Sequence, residues 1–344
     1  ILESSYITCQ VNETSAWHDI YKLLLPNIPE KLFRYRRMDK SGYSIKSFRE
    51  GTISLCHAGM FPDKYDSYLY INQDKIREDL KRALKDALRI CLFHITHKSP
   101  NIRTEKATRI CYYRECGYTD EQIIDKILEE EYVEFVDNIE SAIKSREARF
   151  RNPQNSAKIA CFTEDVCSKI MWDRYADGYK GFAVEYDFSE YVFSLCAKCD
   201  KRDCLDRVHP YLFPIIYSDC RYDATEIVHY YSTLDMSQQT KSQNNIPFPD
   251  TLFWIKAFLY KDKETYVYEK EWRFMCCCEN RVQENHIELT VKKPTAIYYG
   301  TYLPLEQKKK LSLIARSKGI KEYEMYVNNN TASYSLNYRE IEND

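Results

Sequence analysis

Two glutamates two residues apart open a run of aromatic and apolar residues. The run spans residues 266–275, reads Tyr-Val-Tyr-Glu-Lys-Glu-Trp-Arg-Phe-Met, and carries Glu269 and Glu271. In a β-strand, residues i and i+2 project from the same face. The spacing therefore predicts that both carboxylates point together, with Trp272 and Phe274 anchoring the strand behind them. Paired carboxylates on rigid backbone can stabilise a sugar cation or accept a proton. The alternative is that both glutamates face water on an edge strand.

Two arginines occupy one face of an earlier predicted strand, Lys31–Arg37. Arg34 and Arg36 stand two residues apart, and the planar guanidinium group suits forked contact with a phosphate or a carboxylate. Tyr35 lies between them and is grouped with the residues expected to contact a substrate. The alternative is a pair of surface arginines, or salt bridges to the glutamate pair. A one-residue slip of the strand would exchange its faces, so the pattern leaves open which arginine faces the site.

A third segment reads as strand, polar turn, aromatic helix and strand. Thr163 follows the predicted strand 159–162, at a position where a hydroxyl can tie two strands together. Trp172 and Tyr175 are three residues apart and share a helix face. Aromatic side chains on one face can stack on the flat ring of a ligand. The alternative is that both aromatic residues belong to the hydrophobic core.

A cysteine-containing loop at about 190–210 raises the question of zinc. Cys196, Cys199 and Cys204, with Cys220 beyond the loop, could supply four thiolates to a closed structural site. Their spacing departs from the paired C-x-x-C pattern of zinc modules. The alternative is a loop of reduced thiols without metal.

Composition narrows the classes of function. The net charge of −2 gives no support for non-specific nucleic-acid binding. With only 8 glycines in 344 residues, the chain has no Gly-rich phosphate loop. The 14 cysteines include three adjacent ones in a predicted strand, which indicates free thiols in a reducing compartment. Neither a signal peptide nor an apolar run of membrane-spanning length is evident. We therefore expect a cytoplasmic protein without membrane association.

Patterning along the chain predicts an α+β fold of short antiparallel strands. Residues 1–30 form a helical lead-in, 31–330 form a single domain, and 331–344 form a C-terminal tail. Two long amphipathic patterns place an inserted helical block at about 70–150. We assign no chemistry to this block.

Several short motifs resemble a widespread bacterial family, domain of unknown function 2971. The resemblance runs from about residue 31 to 315, and the family label carries no activity. The motifs are Leu-Phe-Arg-Tyr-Arg (32–36), Phe-Pro-Asp-Lys-Tyr-Asp (61–66), Cys-Phe-Thr-Glu-Asp (161–165), Met-Trp-x-x-Tyr-Ala-Asp (171–177), Gly-Phe-Ala-Val-Glu-Tyr-Asp (181–187), Phe-Pro-Ile-Ile-Tyr (213–217) and Glu-Lys-Glu-Trp-Arg (269–273).

The order of three of these pieces also resembles the Arg–Ser/Thr–Glu class of ADP-ribosyltransferases. This resemblance implies a split antiparallel β-sheet core like the fold of that class. The resemblance implies that Arg34 or Arg36 holds the pyrophosphate of NAD and that Thr163 braces the strands. It further implies that Glu271 stabilises the ribose cation while Glu269 positions or deprotonates an acceptor. The Ser-Thr-Ser triplet of that class is reduced here to Phe-Thr-Glu at 162–164.

The resulting hypothesis is an ADP-ribosyltransferase-like enzyme or NAD glycohydrolase that cleaves the nicotinamide–ribose bond of NAD. Its acceptor would be a protein, a nucleic acid, a small molecule or water, and it would act as a bacterial toxin or anti-phage effector, with a possible partner protein. Two alternatives remain open. One is a non-catalytic nucleotide-sensing module. The other is a phosphodiester hydrolase with a divalent metal among Asp63, Asp66, Glu269 and Glu271.

Overall fold

The structure describes most of the chain. This computed structural model covers residues 24–97, 105–130, 157–188, 211–231, 248–250, 252–277, 284–290 and 294–342, with scattered positions between 137 and 148. Most of the predicted lead-in 1–30 lies outside the described residues. The described part begins at Leu24 and contains a 3₁₀ turn at Leu25–Asn27. The predicted cysteine loop at 190–210 also lies outside them.

Ten strands of the described chain join one sheet, and two more form a separate parallel pair, β6 and β7. The strands are β1 (Lys31–Arg36), β2 (Thr52–Cys56), β3 (Ala157–Thr163), β4 (Phe182–Asp187), β5 (Tyr211–Pro214), β6 (Ile216–Ser218), β7 (Tyr260–Asp262), β8 (Glu271–Cys277), β9 (His286–Thr290), β10 (Ala296–Tyr299), β11 (Lys321–Val327) and β12 (Leu336–Glu340).

Short helices connect these strands, and a group of longer helices lies between β2 and β3. The helices are α1 (Tyr43–Glu50), α2 (Gln73–His97), α3 (Glu105–Glu115), α4 (Asp120–Glu130), α5 (Lys169–Tyr175), α6 (Phe253–Lys256), α7 (Lys263–Tyr266) and α8 (Leu305–Lys318). Their ends follow ordinary capping rules. Ser168 accepts a hydrogen bond from the first turn of α5, and Gly319 ends α8 in the left-handed region.

The large sheet is mostly antiparallel, so the expected antiparallel core is confirmed in its main feature. One pair departs from it, because β10 and β11 run parallel. Helix α8 lies between these two strands in the chain, and a crossover helix is the usual connection between parallel neighbours. The fold is therefore mixed α+β.

The sheet branches at β3. One edge of β3 pairs with β8 along its whole length, from Ala157 to Thr163. The opposite edge pairs with β1 at Thr163 and with β2 at Ile159. Strands β1, β3 and β8 therefore lie side by side at the level of Thr163, which brings the predicted arginine, threonine and glutamate segments together.

The chain divides into two compact units. The first comprises residues 1–68, 153–222 and 251–344, and it contains the whole sheet. The second comprises residues 69–152 and 223–250. The helical block predicted at about 70–150 falls in the second unit, which also includes 223–250, a stretch that the sequence pattern assigned to the α+β domain.

Each unit has its own core. In the first unit, successive residues such as Ala183 and Val184 belong to different buried clusters, so the sheet is covered on both faces. Helices α1 and α8 cover one face through Phe48 and Leu311, and α5 covers the other through Trp172. The second unit packs α2, α3 and α4 around their own isoleucines and leucines.

Three elements differ from the sequence expectation. The predicted tail 331–344 contains β12, which pairs with β11. The strand expected at 212–217 is broken into β5 and β6 around Ile215, whose amide donates to the carbonyl of Glu271. Helix α3 was not expected as a separate element. Its apolar pattern is weak, because Ala107 and Ile110 are its only described buried residues.

Replacing Gly181 by alanine tests the packing between β4 and β1. A Cβ at Gly181 would lie 2.1 Å from the carbonyl oxygen of Arg36, so the strands would have to move apart. We expect a loss of about 1–3 kcal/mol in unfolding free energy, as for other overpacked sites. Gly42→Ala is the control, because nothing lies within 4 Å of its Cβ and only its φ of +72° opposes the change. Equal losses in the two variants, measured by urea unfolding, would contradict this packing.

Candidate functional site

The two predicted glutamates converge, but they do not share a strand. Glu271 begins β8, whereas Glu269 ends a 3₁₀ turn, Val267–Glu269. Lys270 between them has a φ of +43°, in the left-handed region. The prediction that the two glutamates share one face of a strand is therefore wrong. Both side chains still point inward, because the backbone turns at Lys270. Glu269 and Glu271 are 3% and 4% exposed, so neither faces water.

A lysine bridges the two carboxylates. Lys261, on β7, places Nζ 2.5 Å from Oε2 of Glu269 and 2.7 Å from Oε2 of Glu271. Its side chain is 8% exposed, and its ammonium lies 4.5 Å from the ring centroid of Tyr266. Sequence reasoning missed Lys261, because it lies outside the glutamate motif, on β7, which pairs with β6.

A fully buried arginine holds Glu271 from behind. Arg273 Nε donates to Oε1 of Glu271 at 2.9 Å, and its two Nη atoms bind both carboxylate oxygens of Asp66. Arg273 also donates to the carbonyl of Phe258 at 2.5 Å. Its position could have been found from the sequence, because residues two apart on β8 share a face. Tyr217 completes the arrangement by accepting a hydrogen bond from the amide of Glu271 at 2.8 Å.

The two glutamates differ in ionisation. Burial alone would raise the pKa of Glu271, but the charges of Arg273 and Lys261 outweigh it and hold that pKa below its ordinary value. Burial raises the pKa of Glu269, with Lys261 opposing the rise and Glu271 adding to it. Burial would lower the pKa of Lys261, but the two glutamates raise it, so its ammonium stays charged. An ionised carboxylate therefore stands beside one that binds a proton more readily, as in paired acid–base sites.

Tyr175 reaches the pair, and Trp172 does not. The hydroxyl of Tyr175 donates to Oε1 of Glu269 at 2.5 Å. Trp172 is fully buried, donates from Nε1 to the carbonyl of Val166 at 2.7 Å, and packs edge-on against Tyr35. The structure thus places Trp172 in the core, as the alternative interpretation held, because its indole faces the sheet while Tyr175 lies one helical turn further along α5.

One cavity of about 290 Å³ lies in the first unit beside these groups. The glutamate pair, Lys261 and Tyr175 line it, and so do both candidate arginines and the tyrosine between them. Its size is at the lower end of small-molecule pockets. Both arginines line the cavity. By strand alternation they lie on the face of Leu32, and Phe33, which pairs with Thr163, lies on the other face.

The arginines carry unused hydrogen-bond donors. Arg34 donates from Nη2 to the carbonyl of Ser54 at 2.9 Å, but its Nη1 is buried without a partner, and so is Nη2 of Arg36. Neither forms an ion pair with any residue that the structure describes. Burial and then the neighbouring charge of Arg36 lower the pKa of Arg34 to about 10, so Arg34 remains cationic at neutral pH. An anion in the cavity would satisfy both groups.

Thr163 and Tyr35 contribute mainly to local structure. Thr163 is buried at the junction of β1, β3 and β8, and its hydroxyl accepts from the amide of Asp165 at 3.2 Å. The brace between strands at this point is backbone pairing, and the hydroxyl shapes the turn after β3. Tyr35 lines the cavity but donates its hydroxyl to the carbonyl of Asp165 at 2.8 Å.

Metal ligands do not assemble in the described part of the chain, where no group of three or more His, Cys, Asp or Glu side chains could hold an ion. Of the predicted zinc ligands, Cys196, Cys199 and Cys204 lie outside the described residues, and Cys220 is exposed with a free thiol. Among the described helices, none is long and apolar enough to cross a membrane.

Residues 171–274 match the family described as Protein of unknown function (DUF2971), which confirms the predicted resemblance over this segment. The segment contains Tyr175, Lys261, Glu269, Glu271 and Arg273. No curated protein and no solved structure matches the chain, so the resemblance to ADP-ribosyltransferases is not confirmed.

Replacing Glu271 by glutamine tests the buried charge network. The change leaves Arg273 and Lys261 with fewer anionic partners, and we expect a loss on the order of 3–5 kcal/mol near neutral pH. The pKa of Glu271 in the folded protein lies below its unfolded value of about 4.3. Its ionisation therefore contributes stability above about pH 4.3 that is lost as the pH falls. Glu269 has the opposite sign, because its raised pKa contributes stability that is lost as the pH rises.

Urea unfolding of the wild type and of Glu271→Gln at a series of pH values from neutral to acid measures this effect. The variant should show a flatter loss of stability in acid than the wild type. Glu264→Gln is the control, since Glu264 is exposed. Parallel acid profiles for the wild type and Glu271→Gln would show that Glu271 is not held ionised by its neighbours.

Proposed function

We propose that this protein cleaves the nicotinamide–ribose bond of NAD, as an ADP-ribosyltransferase-like enzyme or an NAD glycohydrolase. One observation carries the proposal. One cavity is lined both by two arginines that keep buried donors without partners and by a buried glutamate pair of unequal ionisation. The first group suits the pyrophosphate of a dinucleotide, and the second suits a reaction that generates positive charge on a sugar.

The chemistry needs little more than these groups. The bond between ribose C1′ and the nicotinamide nitrogen breaks, its electron pair stays on nicotinamide, and a neutral leaving group departs. Positive charge then develops on the ribose, and a preorganised carboxylate stabilises it. An acceptor oxygen or nitrogen forms the new bond to C1′ and gives up its proton to a base.

The two glutamates suit these different tasks. Glu271 is held ionised by Arg273 and Lys261, so its negative charge is available for the developing cation. Glu269 takes up a proton more readily, which suits it to receive the proton of the acceptor. Tyr175 fixes one oxygen of Glu269 and lines the cavity, where its ring can contact a ligand.

The arrangement of strands supports the ADP-ribosyltransferase-like fold as part of this proposal. That resemblance requires an arginine strand, a Ser/Thr strand and a glutamate strand in one site. Here Phe33 pairs with Thr163, and Thr163 pairs with Glu271, so the three strands are adjacent at the level of the cavity. By analogy alone, the proposal also includes a role in a toxin or defence system, a partner protein and a cytoplasmic location.

A nucleotide-sensing module is the second candidate. The observation that favours it is that both oxygens of Glu271 are already bound by cations, an arrangement that a binding site without chemistry could also keep. The metal-dependent hydrolase fits the geometry less well. Asp66 is bound by Arg273, and the glutamate pair by Lys261, so these cations occupy the positions where a metal would have to bind.

Nicotinamide release from NAD tests the proposal, using the purified protein with cell lysate as a source of acceptors. We expect release by the wild type and a loss of about 10²–10³-fold in Glu271→Gln, the range seen when an electrostatic contact to a transition state is removed. Glu264→Gln should match the wild type. Circular dichroism and thermal melting of each variant separate a lost reaction from a lost fold.

Failure of the folded wild type to release nicotinamide would contradict the proposal. NAD binding without release, unchanged in Glu271→Gln, would support the sensing module. Cleavage of NAD to AMP and nicotinamide mononucleotide, stopped by a chelator, would support the metal-dependent phosphodiester hydrolase.

A further inference from the structure

Lys261 stands at the centre of the carboxylate pair, and the roles above account only for its contact with Glu271. Its ammonium group binds one oxygen of each glutamate, Oε2 of Glu269 and Oε2 of Glu271. It also lines the cavity. Its backbone belongs to the two-stranded sheet of β6 and β7, so it enters the site from outside the large sheet.

Two carboxylates held this close cannot both stay ionised without a counter-charge, because repulsion and burial would leave a proton on one of them. Lys261 supplies that charge equally to both. The remaining oxygens are treated unequally, since Arg273 binds Oε1 of Glu271 and the neutral hydroxyl of Tyr175 binds Oε1 of Glu269. The shared lysine keeps the pair together, and the unequal second partners decide which member gives up its charge first.

We propose that Lys261 is a positioning residue that holds the two carboxylates of the site together by supplying the positive charge that they share. The inference rests on the proposed function, because it gives the base role of Glu269 its physical origin. It concerns the residues of the site and not the identity of the substrate. The titratable or charged groups that face Lys261 from the elements packed around it are Cys161 on β3, Tyr217 on β6, Tyr266 on α7, Glu269 on the 3₁₀ turn, and Glu271 and Arg273 on β8.

Lys261→Met removes the charge and keeps the length of the side chain. The two carboxylates should then titrate at higher pH by about 1–3 pH units, the usual effect of losing an adjacent opposite charge. Lys261→Arg keeps the charge and should stay near the wild type. Lys263→Met is the matched control, since Lys263 lies two residues along the chain and is exposed.

Two readouts keep this inference separate from the proposed function. The first is the titration of Glu269 and Glu271 by carbon-13 NMR of labelled glutamate, assigned with Glu269→Gln and Glu271→Gln. The second is the pH dependence of nicotinamide release, where Lys261→Met should move the acid limb upward. It should also lower kcat at neutral pH while KM for NAD stays within about twofold, because Arg34 and Arg36 are untouched.

If no variant releases nicotinamide, the proposed function fails, and the NMR titration still decides the role of Lys261. Titration of both carboxylates in Lys261→Met at the wild-type pH values would overturn the inference. If Lys261→Met folds poorly, Lys261→Met combined with Glu269→Gln decides the matter, because removing one carboxylate should restore thermal stability. A double variant as unstable as the single one would show that repulsion between the carboxylates is not what Lys261 relieves.

Discussion

The guanidinium group of Arg273 is the interaction on which the rest of the site depends. It is fully buried, and burying such a charge is unfavourable unless every donor finds a partner. Asp66, Glu271 and the carbonyl of Phe258 supply those partners. Because these groups come from three separate parts of the chain, one arginine fixes the loop after β2, the segment before β7 and the start of β8 relative to one another. The position of Glu271 at the cavity follows from this.

The charged residues in and around the cavity form two groups, one of carboxylates with their cations and one of arginines. At the carboxylate group, Lys261 and Arg273 pair with three carboxylates, those of Glu269, Glu271 and Asp66. At the arginine group, Arg34 and Arg36 repel each other, and each keeps a buried donor without a partner. Incomplete pairing of buried donors is unfavourable in the free protein. Under the proposed function, a phosphate-bearing ligand would remove that cost, with the arginines giving affinity and the carboxylates left available for chemistry.

Much of this arrangement could be predicted from the sequence, because strand alternation placed Arg34 with Arg36 and motif order brought their strand to that of Glu271. The convergence of Glu269 with Glu271 could not be predicted. It depends on Lys270, which adopts a left-handed backbone conformation although it is not a glycine. The contact of Lys261 with the two glutamates could not be predicted either, because Lys261 lies on β7, and the pairing of β7 with β6 has no sequence signature. The sequence pattern places Trp172 and Tyr175 on one helix face. Only the packing of α5 on the sheet puts Trp172 in the core and Tyr175 at the cavity.

The central claim is that the cavity binds a phosphate-bearing nucleotide through its two unpaired arginines. Calorimetric titration with ADP-ribose of the wild type, Arg34→Gln, Arg36→Gln and Arg37→Gln tests it most directly. Arg37 is exposed at the end of the same strand and serves as the matched control. The account predicts binding by the wild type and by Arg37→Gln, and a loss of about tenfold or more in each of the other two, which corresponds to about 1.4 kcal/mol. No binding by the wild type, or equal binding by all four proteins, would contradict it.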